Sequence, residues 1–81
     1  MLQPLLTLVH PEDGRWLVLT YDSGERRRFD VSPYMNGPWF GELNDHSFFD
    51  AVRIVGGGFG IEWPHGQDIA PHELYELSAP L

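Results

Sequence analysis

The chain contains no cysteine and no lysine. The first absence excludes a disulfide framework and any thiolate metal site, and it agrees with a reducing compartment. The second leaves five arginines against twelve carboxylates, a formal net charge of −7. That balance repels phosphate backbones and anionic lipid surfaces, so direct nucleic-acid binding and membrane binding are disfavoured. No apolar run approaches the roughly 18 residues needed to cross a bilayer. Met1 to Leu8 place no basic residue ahead of an apolar stretch, so a secretory signal is not expected and a cytoplasmic location is. Also missing are GxGxxG, GxxxxGK, GxSxG and HExxH, the patterns that would announce a phosphate loop, a nucleophile elbow or a zinc helix.

Apolar and aromatic residues, by contrast, are well represented at 42% and 14%, too many for a disordered segment. With 81 residues the chain can build one hydrophobic core, so positions 1–81 read as a single domain. Leu5 to His10 is β-prone, Pro11-Glu12-Asp13-Gly14 reads as a turn, and Arg15 to Tyr21 returns as a second strand. Asp22-Ser23-Gly24 suits a three-residue hairpin loop with glycine in the left-handed position, after which Glu25 to Val31 completes a meander. Pairing about the first turn sets Leu6 beside Leu19 and Leu8 beside Leu17, giving a core face of Leu6, Leu8, Leu17, Leu19, Tyr21, Phe29 and Val31. The other face carries Val9, Trp16, Val18, Arg26, Arg28 and Asp30, leaving Trp16 either covered by a later segment or open to a partner.

Ser32 and Pro33 can cap and start a short turn that Gly37-Pro38 stops. Asn44 or Asp45 can cap a short helix through about Val52, which needs the sheet for stability and offers it Phe49, Val52 and Phe48. Val52 to Val55 and Phe59 to Trp63, joined by Gly56-Gly57-Gly58, read as a hairpin. Pro71 opens a last helical turn, with Ile69 spaced to meet Leu74 as a hydrophobic staple. The expected fold is thus α+β: an antiparallel sheet of about five strands, a meander plus a C-terminal hairpin, with one short helix between them and a helical turn at the end.

Little in the sequence carries chemistry. His65, Asp68 and His72 form a set that zinc accepts, but they span a loop and a helix start without a fixed spacing, and surface histidines around a turn-forming Asp explain them. Ser23, Ser32, Ser47 and Ser78 each have a turn or cap explanation. Carboxylate pairs such as Glu42 with Asp45 or Asp50 lack a sign of desolvation. No catalytic residues and no cofactor are therefore assigned, and the chain is read as a non-enzyme. Arg26, Arg27 and Arg28 read as solvated residues that protect a strand edge, with contact to an acidic partner left open.

Trp39 and Phe40 are adjacent on a connecting segment between Gly37-Pro38 and Gly41, so both cannot easily point inward, and one of them is expected to be exposed. Trp63 and Phe59 are expected in the core. Aromatic side chains dominate binding hot spots as well as small cores. This motivates a protein interface formed by Trp39, Phe40, Trp63, His65 and Asp68. An acidic surface favours a basic partner. Self-association through a strand edge or the Trp16 and Val18 face, giving a homodimer, is a further expectation.

The run Ile61-Glu62-Trp63-Pro64-His65-Gly66-Gln67-Asp68, closing on Leu74-Tyr75, resembles the strand, Trp-Pro-x-Gly-x-Asp and Leu-Tyr turn of the small bacterial family DUF2442. Asp22-x-Gly24-x-x-x-x-Phe29-Asp30-x-x-Pro33-Tyr34 and Leu43-x-Asp45-x-x-x-Phe49-x-x-Val52 extend the resemblance over nearly the whole chain. It implies a small α+β domain without assigned catalytic residues. It also implies a partner-binding role, as the antitoxin-like half of a two-protein system. The alternatives are a small-ligand or metal site near His65, Asp68 and His72, and a regulatory sensor domain of the kind linked to helix-turn-helix transcription factors.

Overall fold

A computed structural model describes residues 3–81. Strands β1 (Leu6–Glu12), β2 (Trp16–Tyr21) and β3 (Arg26–Asp30) form the expected meander. A 3-10 turn (Ser32–Tyr34), helix α1 (Gly37–Phe40), a second 3-10 turn (Gly41–Asn44) and helix α2 (His46–Phe49) follow. Strands β4 (Arg53–Val55), β5 (Gly60–Glu62) and β6 (Asp68–Ile69), helix α3 (Pro71–Glu76) and strand β7 (Ala79–Pro80) complete the chain. The α+β antiparallel class holds, but the strands divide into two sheets, ordered β1-β2-β3-β7 and β4-β5-β6. Strands β6 and β7, two residues each, are too short to leave a pattern in the sequence.

Local chemistry explains most boundaries. Gly24 takes φ +90° in the hairpin loop, and Tyr21 N–H donates to Glu25 at 2.9 Å to close it. Asp45 caps α2 by accepting from the Ser47 N–H at 3.0 Å. Asn44 instead donates its side-chain amide to the carbonyls of Met35 and Gly41. Ser32 does not cap its turn; its hydroxyl donates to Asp30. Pro71 opens α3, where its lack of an N–H costs nothing.

The first turn lies further along than expected. Strand β1 runs to Glu12, and Asp13 and Gly14, both at positive φ, reverse the chain, with Arg15 N–H donating to Glu12 at 3.1 Å. Pro11 fits within β1 because this is an edge strand. Val9 therefore stands opposite Leu19 and Leu8 opposite Thr20, with an irregularity between Leu6 and Leu8 that returns Leu6 to the core side, facing Tyr21. The expected pairings of Leu6 with Leu19 and Leu8 with Leu17 are corrected accordingly. Leu8 turns outward at 57% exposure, while Val9 packs against the core. A shift by an odd number of residues exchanges the two faces of a strand.

Both sheets contribute to one core. Leu17, Leu19, Phe29 and Val31 meet Leu43, Phe49, Ile61, Trp63, Ile69 and Leu74, with Phe48, Val52 and Tyr34 packed alongside. Each fully buried large apolar side chain contributes about 1.5 to 3 kcal/mol. Ile69 and Leu74 are both buried in this cluster, as a staple requires. Phe59, expected in the core, is 54% exposed at the end of the glycine turn. Among the described residues no helix is long and apolar enough to cross a membrane.

The three consecutive arginines divide by the alternation of β3. Arg27 points to the α3 side, where Nε donates to the Ser78 hydroxyl at 2.6 Å, Nη2 donates to the Ser78 carbonyl at 2.7 Å, and the guanidinium lies 4.7 Å from the Tyr75 ring centre. It fastens the C-terminal segment to the sheet. Arg28 points the other way and covers Trp16 at 3.9 Å, while Arg15 reaches the same ring at 4.8 Å. Trp16 is thus half-buried, with the guanidinium groups of Arg28 and Arg15 over its ring.

Candidate functional site

The connection between β5 and β6 is a tight loop. Trp63 N–H donates to the Gln67 carbonyl at 2.8 Å, Gly66 N–H donates to the Trp63 carbonyl at 2.9 Å, and Gly66 sits at φ +91°. A non-glycine residue would be strained there. Trp63 is completely buried beneath the loop, and its indole N–H donates to the Phe49 carbonyl at 2.9 Å. It therefore supports the loop from within and offers no contact surface, which corrects its assignment as a partner-binding residue.

Gln67 ties this loop to the segment after α1. Its side chain is fully buried, and Nε2 donates to the Trp39 carbonyl at 2.9 Å and to the Glu42 carboxylate at 2.7 Å. His65 approaches both Glu42 oxygens through Nδ1, at 3.0 and 3.1 Å. An ionised carboxylate only accepts, so Nδ1 carries the proton. The hydrogen bond from His65 is the main influence holding the Glu42 carboxyl below the usual carboxylate range, and Gln67 acts in the same direction. The His65 ring lies 5.0 Å from the Phe48 ring centre, which fixes its tilt.

Trp39 lies across the top of this frame. Its indole N–H donates to the His65 carbonyl at 3.2 Å, and Phe40 meets it edge-on at 5.5 Å. Phe40 packs partly against the core while Trp39 is 51% exposed, the division of roles expected for the pair. Trp39, Phe40 and His65 are thus brought together. Asp68, next to Gln67, is exposed on β6 opposite Glu62.

The metal set is not gathered. His65 is engaged by Glu42, and among the described residues no group of three or more His, Asp or Glu side chains is placed to hold a metal ion. Glu42 bonds His65 and Gln67, and Asp45 bonds Ser47, so these carboxylates serve loop and cap. A separate open groove of about 310 Å³ lies between Phe29, Asp30, Pro33, Tyr34 and Leu77. Its polar groups are occupied: the Tyr34 hydroxyl donates to Glu73, and Asp30 accepts from Arg15 and Ser32.

Glu42, Phe48 and Gln67 were not singled out as interface residues from the sequence. The available signal was a glutamine inside a Gly-Gln-Asp turn, a place where its amide can satisfy carbonyls of a neighbouring segment. The model of the family described as "Protein of unknown function (DUF2442)" matches residues 6–80. The chain belongs to DUF2442. No curated protein and no solved structure matches it. In this DUF2442 chain the Trp-Pro-x-Gly-x-Asp segment, Trp63 to Asp68, is the loop that bonds Trp39 of α1 through the His65 carbonyl and the Gln67 amide.

Proposed function

We propose that this chain is a non-enzymatic protein-interaction module that docks a basic protein partner through Trp39, Phe40, His65 and Asp68, as the antitoxin-like half of a two-protein system. The observation that carries this reading is that Trp39 is half exposed yet held in place. Its indole N–H, its carbonyl and its ring edge are each engaged, by His65, Gln67 and Phe40. Large exposed side chains usually give up rotamer freedom on binding, and a ring already fixed gives up less. The Glu42 carboxylate in the same bonded frame, together with the net charge of −7, suits a basic surface.

The test is capture from the native host with a tagged chain and a mock control, followed by affinity measurement with the captured protein. A single stoichiometric basic protein is expected, and Trp39→Ala should weaken its binding by about 2 kcal/mol, as for an interface hot spot. Unchanged affinity in both Trp39→Ala and Phe40→Ala variants, each still folded, would sink the reading.

A further inference from the structure

The outer face of the four-stranded sheet gathers three of the five arginines of an otherwise acidic molecule, Arg15, Arg26 and Arg28. Four of the five arginines fall between residues 15 and 28. The register sets Leu8 beside Thr20, His10 beside Val18, Val18 beside Arg28 and Thr20 beside Arg26, all on the face away from the core. Val18 is 93% enclosed yet stands outside the core cluster, because its cover comes from its neighbours on this outer face. Leu8 and Trp16 extend the apolar floor on either side of it.

Among the described residues, Arg15, Arg27 and Arg53 each pair with a carboxylate, whereas Arg26 and Arg28 do not. The acidic groups at the Trp16 end of the face are Glu12 and Asp30, and Asp30 is already bound to Arg15 at 2.8 Å. Uncompensated positive charge therefore concentrates at Arg26 and Arg28. Arg28 lies over the Trp16 ring at 3.9 Å, a contact that restrains its guanidinium. A fork held in this way accepts a carboxylate in two parallel hydrogen bonds at reduced entropic cost.

We infer that this face is a second interaction surface, distinct from the Trp39 loop, and that its occupant is an acidic peptide segment of a protein partner. The carboxylates lie on Arg26 and Arg28, and apolar side chains of the segment lie over Leu8 and the open part of Trp16. A nucleic acid fits less well. Only two free arginines face the site, while the molecule as a whole carries a net charge of −7 that repels an extended phosphate backbone.

The probe is a fluorescein-labelled short peptide with two glutamates among leucines, titrated by anisotropy with the full chain at about 0.1 M salt, where repulsion by carboxylates more than about 10 Å away is screened. Saturable binding is expected, weakened about tenfold or more by Arg26→Gln with Arg28→Gln, and weakened similarly by raising salt to about 0.3 M. Arg53→Gln, in the other sheet, and Trp39→Ala should bind as the parent does. Far-UV circular dichroism of each variant separates lost binding from lost folding, and Arg26→Gln alone, at an exposed position, provides a variant expected to fold normally. The inference is overturned by absence of saturable binding, or by equal affinity in the double variant. It is equally overturned if an oligothymidylate of matched charge binds more tightly, which assigns the face to nucleic acid. Concentration-dependent dimerisation abolished by Arg28→Gln would also overturn it, because the occupant would then be a second copy of the chain.

Discussion

The Leu6 N–H donates to the Gly58 carbonyl at 2.8 Å, and a Cβ on Gly58 would stand 2.7 Å from the Leu6 carbonyl oxygen. This contact joins the glycine turn of the small sheet to the edge strand of the large one, and Gly58 makes it at φ +106°. Gly58→Ala meets both backbone strain and a clash with backbone that cannot swing aside. It should destabilise the domain by about 2 to 4 kcal/mol, measured as a drop in the urea midpoint. Gly57→Ala, at φ +68° with nothing within 4 Å, should cost only about 1 kcal/mol. Equal losses in the two variants would mean that the contact with Leu6 does not matter.

Gln67→Leu keeps the volume of the buried side chain but removes the donor shared by Trp39 and Glu42. The Trp39 carbonyl keeps only the Gly41 N–H and the Glu42 carboxylate loses a donor, so a loss of about 1 to 3 kcal/mol is expected. The same variant should make Trp39 more accessible to acrylamide quenching. A stability loss without a change in quenching would separate Gln67 from the positioning of Trp39.

Stability should fall in acid. Glu25 is held below the usual carboxylate range chiefly by Tyr75, Asp30 by Arg15, Glu42 by His65 and Asp45 by Ser47. The unfolded chain takes up protons at these groups first, so their contribution is present above the ordinary carboxylate pKa of about 4 and is lost as pH falls through the lower folded values. Urea midpoints of Glu42→Gln should depend less on pH across this window than those of the parent. Parallel curves would remove Glu42 from the account.

The alkaline side has the opposite sign. Burial pushes the hydroxyls of Tyr21 and Tyr34 up to about 12, with the hydrogen bond to Glu73 adding to the effect at Tyr34. The folded state keeps these protons after the unfolded chain has lost them, so stability is full below about pH 10 and declines as pH rises toward 12. Among the described residues the buried Tyr21 hydroxyl has no hydrogen-bond partner. Tyr21→Phe should therefore flatten part of the alkaline decline and leave neutral-pH stability unchanged or raised by up to about 1 kcal/mol. A loss above that at neutral pH would show that the hydroxyl has a partner in solution.

Features governed by a few adjacent residues were legible in the sequence. Asp45 at the start of α2, Pro71 at the start of α3 and Gly24 in its hairpin act through local backbone geometry. That one of Trp39 and Phe40 is exposed followed from their crowding between glycines, whereas which of them it is did not. What failed depended on counting across a distance. Moving the first turn past Pro11 and inserting one irregularity in β1 reversed Leu8 while leaving Leu6 in place. The fully buried Trp63 and the exposed Phe59 look alike as aromatics flanking a glycine-rich hairpin, and only the packing of Phe49 over one of them tells them apart. Gln67 acts on a segment 25 to 28 residues away, so the turn around it does not show what its amide reaches.

The three tryptophans sit in three unlike surroundings: Trp16 under two guanidinium groups, Trp39 half in water, and Trp63 sealed against Phe49. Indole emission moves to longer wavelength as water reaches the ring, and nearby charge alters its intensity. Single-tryptophan variants, with phenylalanine at the other two positions, would therefore give three separate optical signals: one for the arginine-covered sheet, one for the aromatic loop and one for unfolding. Occupation of either surface can then be told apart from loss of the core by the colour of the emitted light, with no dye attached to the protein.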